Sequence, residues 1–167
     1  MQNYIYDIIK KLSEAQVEFV ICGGVACFIQ GVDRTTFDID INLSIEDANL
    51  SKVIKVFKEN NFIPRIPEPM ENLLSEERRN IWINEKGAVV YTLNDKKSIF
   101  QIDIFLKYPI PFCELKENAD VFEIDNYKFL VSSKKDLILA KKSVIPLRDK
   151  DIYDIKQLER LINDGNK

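Results

Sequence analysis

Apolar positions along this chain follow two periods, and the switch between them marks the elements. Over residues 3–15, Tyr4, Ile8, Ile9 and Leu12 fall on one stripe with charges opposite, which predicts an amphipathic helix. Residues 16–22 end in the apolar run VEFVIC, a buried strand, and 25–30 predict a short helix stopped by Gly31. A polar loop over 32–36 leads into DIDINL, where acid and isoleucine alternate with strand period. Ser44, with Asp47 three residues on, predicts a capped helix that carries Leu50, Val53, Ile54 and Phe57 to about Asn60.

The middle of the chain is less regular. PRIPEPMENLLSEERRN, with its prolines and charges, predicts a mobile loop containing at most a helical turn, on which Arg78 and Arg79 sit with no role assigned. IWIN and AVVYTL predict strands around a turn at 85–87, and SIFQIDIFL over 98–106 predicts another, with Ile99, Gln101, Asp103 and Phe105 on one face. VFEI and YKFLV flank Asp125-Asn126 as a hairpin, and two helices follow, at about 133–143 and 149–163. Helix and strand alternating first, then strands, then helices predict a mixed α/β or α+β sheet flanked by helices. With 167 residues and neither repeat nor linker, the reading is one domain whose last 35 or so residues form a helical extension.

Composition narrows the chemistry. Net charge is −3, so bulk charge gives no argument for nucleic acid as a partner. No run is long enough to span a bilayer and the N-terminal residues lack a signal-peptide pattern, so the expected location is the cytoplasm. The chain has no histidine, which excludes imidazole bases, Ser-His-Asp and Cys-His catalysis, and histidine-bearing zinc sites. Cys22, Cys27 and Cys113 are scattered, and the first two lie in apolar runs as small buried hydrophobes. Carboxylates, lysines and tyrosines are left, which favours oxygen ligands of the magnesium kind.

The candidate site lies over residues 21–43, ICGGVACFIQGVDRTTFDIDINL. Asp38 and Asp40, two apart on a strand, share a face and place like charges together. A hard divalent cation, a shared proton or solvent must offset their repulsion. Gly23 and Gly24, between a strand and a helix, offer bare amides to an anion. An anion site beside a cation site points to a metal-bound polyphosphate. Read blandly, the glycines form a tight turn, Asp38 caps a turn, Asp40 meets water and Asp103 pairs with Arg34.

GGVACFIQGVDRTTFDIDI resembles the signature of the polymerase-beta-like nucleotidyltransferase superfamily: a diglycine, a spacer, then two aspartates alternating with hydrophobic residues. In detail it is similar to the minimal bacterial branch that includes AbiEii-type toxin nucleotidyltransferases. The 13-residue spacer between Gly24 and Asp38 is near the long end of that pattern. The resemblance implies a nucleotidyltransferase-like fold in which Asp38, Asp40 and, from a neighbouring strand, Asp103 hold two magnesium ions, replaceable by manganese. It implies that Gly23, Gly24, Arg34, Thr35 and Thr36 meet the phosphates of a nucleoside triphosphate (NTP).

DLILAKKSVIPLRDKDIYDI is similar to the D-x-x-x-x-K and R-x-K-D-x-x-D pattern of the same branch. It implies that Lys141 contacts phosphate and that Asp151 or Asp154 assists, in roles left open. The implied activity is transfer of a nucleoside monophosphate to a hydroxyl on tRNA, protein or a small molecule such as an antibiotic, with an antitoxin as a possible partner. The alternative is a catalytically silent, antitoxin-like binding protein with the same fold. An enzyme modifying cationic drugs would need an acidic pocket. No residue pattern identifies the base.

Overall fold

The computed structural model describes residues 2–165. Helix α1 (Gln2–Glu14) leads to strand β1 (Phe19–Cys22), and helix α2 (Gly23–Ile29) follows it without a break. After a loop come β2 (Asp38–Leu43), α3 (Asp47–Glu59) and the short β3 (Phe62–Pro64). A 3₁₀ turn (Met70–Leu74) precedes α4 (Glu76–Asn84), β4 (Val90–Asp95), β5 (Gln101–Phe105) and α5 (Phe112–Asn118). The chain continues through β6 (Asp120–Ile124), β7 (Tyr127–Val131), α6 (Lys134–Lys142) and α7 (Asp149–Gly165).

The strands form one mixed sheet of seven in the order β3-β4-β5-β2-β1-β7-β6. β2 runs antiparallel to β1 and parallel to β5, and β1 runs parallel to β7. Period-2 alternation sorts the faces. Phe19, Ile21, Ile39, Ile41, Ile102 and Ile104 point into the main core, which also takes Ile8, Ile9 and Leu12 of α1 and Leu50, Val53 and Phe57 of α3. The other face carries Val20 and Cys22 under Ile110 and Leu115, a smaller cluster that reaches β5 only at Phe105. Asp125 and Asn126, both at positive φ, close the β6–β7 hairpin as expected of a two-residue turn.

Four expectations need correction. IWIN is the end of α4, and the segment read as a mobile loop is a 3₁₀ turn followed by that helix. Ser75 accepts a hydrogen bond from the Arg78 amide and caps the helix, and Trp82 is its buried residue, its ring 5.1 Å from that of Tyr91. Arg78 and Arg79 therefore lie on a helix, and Arg79 Nη1 donates to the Leu73 carbonyl. Ser44 is not the cap of α3: the helix begins at Asp47 with Glu46 at the cap, and the Ser44 carbonyl accepts from Asn49 Nδ2 at 2.9 Å. Finally, Gly23 and Gly24 are the first turn of α2 rather than a turn preceding it.

Candidate active site

Strand pairing assembles the carboxylates. Asp40 stands opposite Asp103 across the parallel β2–β5 ladder, and Asp38 lies two residues back on the same face as Asp40. Thr92 of β4 continues this transverse row: it pairs with Asp103 in register, and its hydroxyl donates to Asp103 Oδ1 at 2.5 Å. Asp40 Oδ2 accepts the Gly24 amide at 3.2 Å. The bland pairing of Asp103 with Arg34 is absent from the geometry, because Arg34 is bound to Asp154 instead.

Charge and burial act together here. Burial pushes the Asp40 carboxyl up to about 6, the Gly24 amide opposes this, and the neighbouring Asp103 and Asp38 add to it. Burial also raises Asp103; the Thr92 hydroxyl holds it down, and the charge of Asp38 pushes it further up. Asp40 thus carries the influence of both other acids, and Asp103 that of Asp38.

The glycines matter by what they leave room for. Gly23 sits at φ +57°, and a Cβ there would collide with the Asp40 carboxylate. A Cβ on Gly24 would stand 2.7 Å from Thr36 Oγ1 and 2.9 Å from Arg34 Nη2. Carboxylate, hydroxyl and guanidinium therefore close on bare backbone.

Gly23, Gly24, Arg34, Thr36, Asp38, Asp40, Asp103 and Lys141 all line one cavity of about 470 Å³. Thr35 does not; it lines a separate, mostly apolar cavity of about 250 Å³ beside Phe28 and Ile5. The main cavity also takes Lys107, Arg148 and Lys150, which enlarge the set read from the sequence, and Asp151, whose role the sequence left open. Burial works to raise Asp151, but hydrogen bonding to Arg148 and the charge of Lys141 carry it below the usual carboxylate range. Thr92 was legible only as a strand residue, since its role depends on which strand lies beside Asp103.

The donor set of Asp38, Asp40 and Asp103 is all hard oxygen and faces a cavity that charged side chains also line, so its chemistry suits a magnesium-type ion. Among the described residues, no three acid or thiol side chains already stand close enough to close around a metal. Asp40 is turned to Gly24 and Asp103 to Thr92.

No family model matches the sequence, and neither does any curated protein. Solved structures do match. A lincosamide antibiotic adenylyltransferase, LnuA, solved with lincomycin bound, superposes with a TM-score of 0.66 at 15% identity, over 96% of this chain and 98% of that one. The chain has the nucleotidyltransferase fold. ANT(2'')-Ia, solved in complex with adenylyl-2''-tobramycin, superposes with a TM-score of 0.57 at 13% identity, over 97% of this chain and 94% of that one. An antigenic nucleotidyltransferase-like protein from Paracoccidioides brasiliensis gives 0.58 at 16% identity, over 95% and 75%. Among the described residues, no helix is long and apolar enough to cross a membrane.

Proposed function

We propose that this chain is a magnesium-dependent nucleotidyltransferase that moves a nucleoside monophosphate from an NTP to a hydroxyl acceptor in the cytoplasm. The observation that carries this reading is the convergence of three carboxylates, two glycines and the cations Arg34, Lys141 and Arg148 on one cavity. Asp38, Asp40 and Asp103 would hold magnesium, or manganese in its place; the ions, when bound, would neutralise the triphosphate and stabilise the charge on leaving pyrophosphate. Gly24, Arg34 and Lys141 bind and orient the β- and γ-phosphates. The acceptor oxygen bonds to the α-phosphorus as the bond from that phosphorus to pyrophosphate breaks. Asp103, raised by burial and held at Oδ1 by Thr92, takes the acceptor's proton at Oδ2.

The charge of the cavity narrows the acceptor. Five cations line the cavity, Arg34, Lys107, Lys141, Arg148 and Lys150, and the one carboxylate there besides the catalytic three, Asp151, is bound to Arg148 and Lys141. A polycationic drug therefore finds no free acid, although two of the matching proteins carry antibiotics. This favours tRNA, protein or an uncharged small molecule. A catalytically silent partner of the antitoxin type has less support, because nothing in such a role calls for three acids kept together against their repulsion.

Isothermal titration with a panel of NTPs, with and without magnesium, tests the reading. Binding of at least one NTP should require magnesium and be lost in Asp38→Ala, and Asp38→Ala or Asp40→Ala should abolish transfer while leaving the fold intact. Full activity in either variant would refute the metal assignment.

A further inference from the structure

Beside the three carboxylates assigned to the reaction stands a second acidic pair, of which Asp151 lines the cavity and Asp154 does not. Asp151 and Asp154 are three apart on α7 and so share a face of that helix, and each is 1% exposed. Buried acids need partners, and these have cations from three other segments. Asp154 Oδ2 accepts from Arg34 Nη1, on the loop after α2, and lies 2.7 Å from Lys141 Nζ, at the end of α6. Asp151 holds Arg148 Nε at 2.6 Å and Lys141 Nζ at 3.3 Å. Tyr153, between them, donates to the Asp33 carbonyl at 3.1 Å and ties α7 to the same loop.

Arg34, Lys141 and Arg148 line the main cavity, whereas Asp154 does not. Arg34 Nη2, with Thr36 Oγ1, crowds the missing Cβ of Gly24, so the guanidinium is oriented by Asp154 on one side and presented to the glycine turn on the other. Arginine and lysine are flexible, and ordering them costs side-chain entropy that a substrate would otherwise have to supply. We infer that Asp154 is a positioning residue: it fixes Arg34 and Lys141 in advance so that both reach the polyphosphate of the substrate. The inference rests on the nucleotidyltransferase reading and assigns the role left open for Asp154.

Two effects of removing its charge oppose each other. Loss of a negative charge makes the cavity more positive and strengthens its long-range pull on phosphate. Loss of the shared acceptor releases both cations from their geometry, and the inference holds that this second effect wins.

The probe is magnesium tripolyphosphate, titrated calorimetrically into the full chain. Asp154→Asn, with its fold verified by circular dichroism, should bind it at least tenfold more weakly than the unaltered protein. In an Arg34→Ala, Lys141→Ala background the same substitution should change affinity less than twofold, because its targets are gone; a structural role alone would not produce that difference. Should Asp154→Asn fail to fold, Asp154→Glu carries the test. It keeps the charge but moves the carboxylate by one methylene, and should weaken binding at least threefold. Unchanged or tighter binding in a folded Asp154 variant would overturn the inference. Failure of the unaltered protein to bind the probe or any NTP would instead remove the nucleotidyltransferase reading beneath it.

Discussion

Asp40 is held where its charge is disfavoured, and this has a pH signature. Its native carboxyl is raised to about 6 from an ordinary 3.8, so the folded chain holds that proton more tightly than the unfolded chain does. Its contribution to stability is therefore complete below about pH 4 and is lost as pH rises to about 6. The loss is on the order of 2 to 3 kcal/mol. Asp40→Asn keeps an oxygen to accept the Gly24 amide but cannot ionise. In magnesium-free buffer it should melt several degrees above the unaltered protein at pH 7.5, by about 2–4 °C per kcal/mol, and level with it near pH 4. A melting difference that is the same at both pH values would contradict the assignment. The residue-scale features of the site were legible where they depend on period alone: Asp38 and Asp40 share a face because strands alternate. The partner of Arg34 was not legible, since Asp154 lies 120 residues away and only the packing of α7 brings it near.

At the level of elements, the start of α2 separates two glycines that look equivalent in sequence. Gly23 needs its positive φ, and a side chain there meets Asp40, which is backed by β2 and cannot move aside cheaply. Gly24 would meet the Thr36 hydroxyl, which can turn away, and the Arg34 guanidinium, which can shift only at some cost to its pairing with Asp154. Gly23→Ala should therefore destabilise the fold by about 2 kcal/mol, combining left-handed backbone strain with the collision. Gly24→Ala, free of that backbone strain, should cost less, about 1 kcal/mol, and lose affinity for magnesium NTP. Urea unfolding paired with calorimetry distinguishes the two, and equal stability losses would refute the distinction. Element type was readable for β2 and β5, whose acids punctuate isoleucines, and for the β6–β7 hairpin with its Asp-Asn turn. It failed at α4, where Ile81, Trp82 and Ile83 form a short apolar run that periodicity cannot divide between helix and strand. Ser75 and the burial of Trp82 decide it for helix.

For the whole molecule, the sheet supplies the acids from β2 and β5, and the helices beyond β7 supply Lys141 and the carboxylates that hold the cations. The α6–α7 pair is thus as much a part of the site as the sheet. Leu158, on α7, is fully buried in the main core. Leu158→Ala should cost about 2 to 5 kcal/mol by leaving a cavity, measured by urea unfolding, and should weaken NTP binding through loosening of Asp154. Full affinity in a destabilised but folded variant would show that the site does not depend on how α7 is seated.

The 120 residues between Arg34 and Asp154 also set a timetable. At about 5 to 20 residues per second, a ribosome reaches Asp154 roughly 6 to 24 seconds after Arg34. During synthesis the acids of β2 and β5 are laid down well before α7, and the guanidinium waits without its buried counterion. On the proposed reading, a nascent chain can capture nucleotide only after α7 has been made.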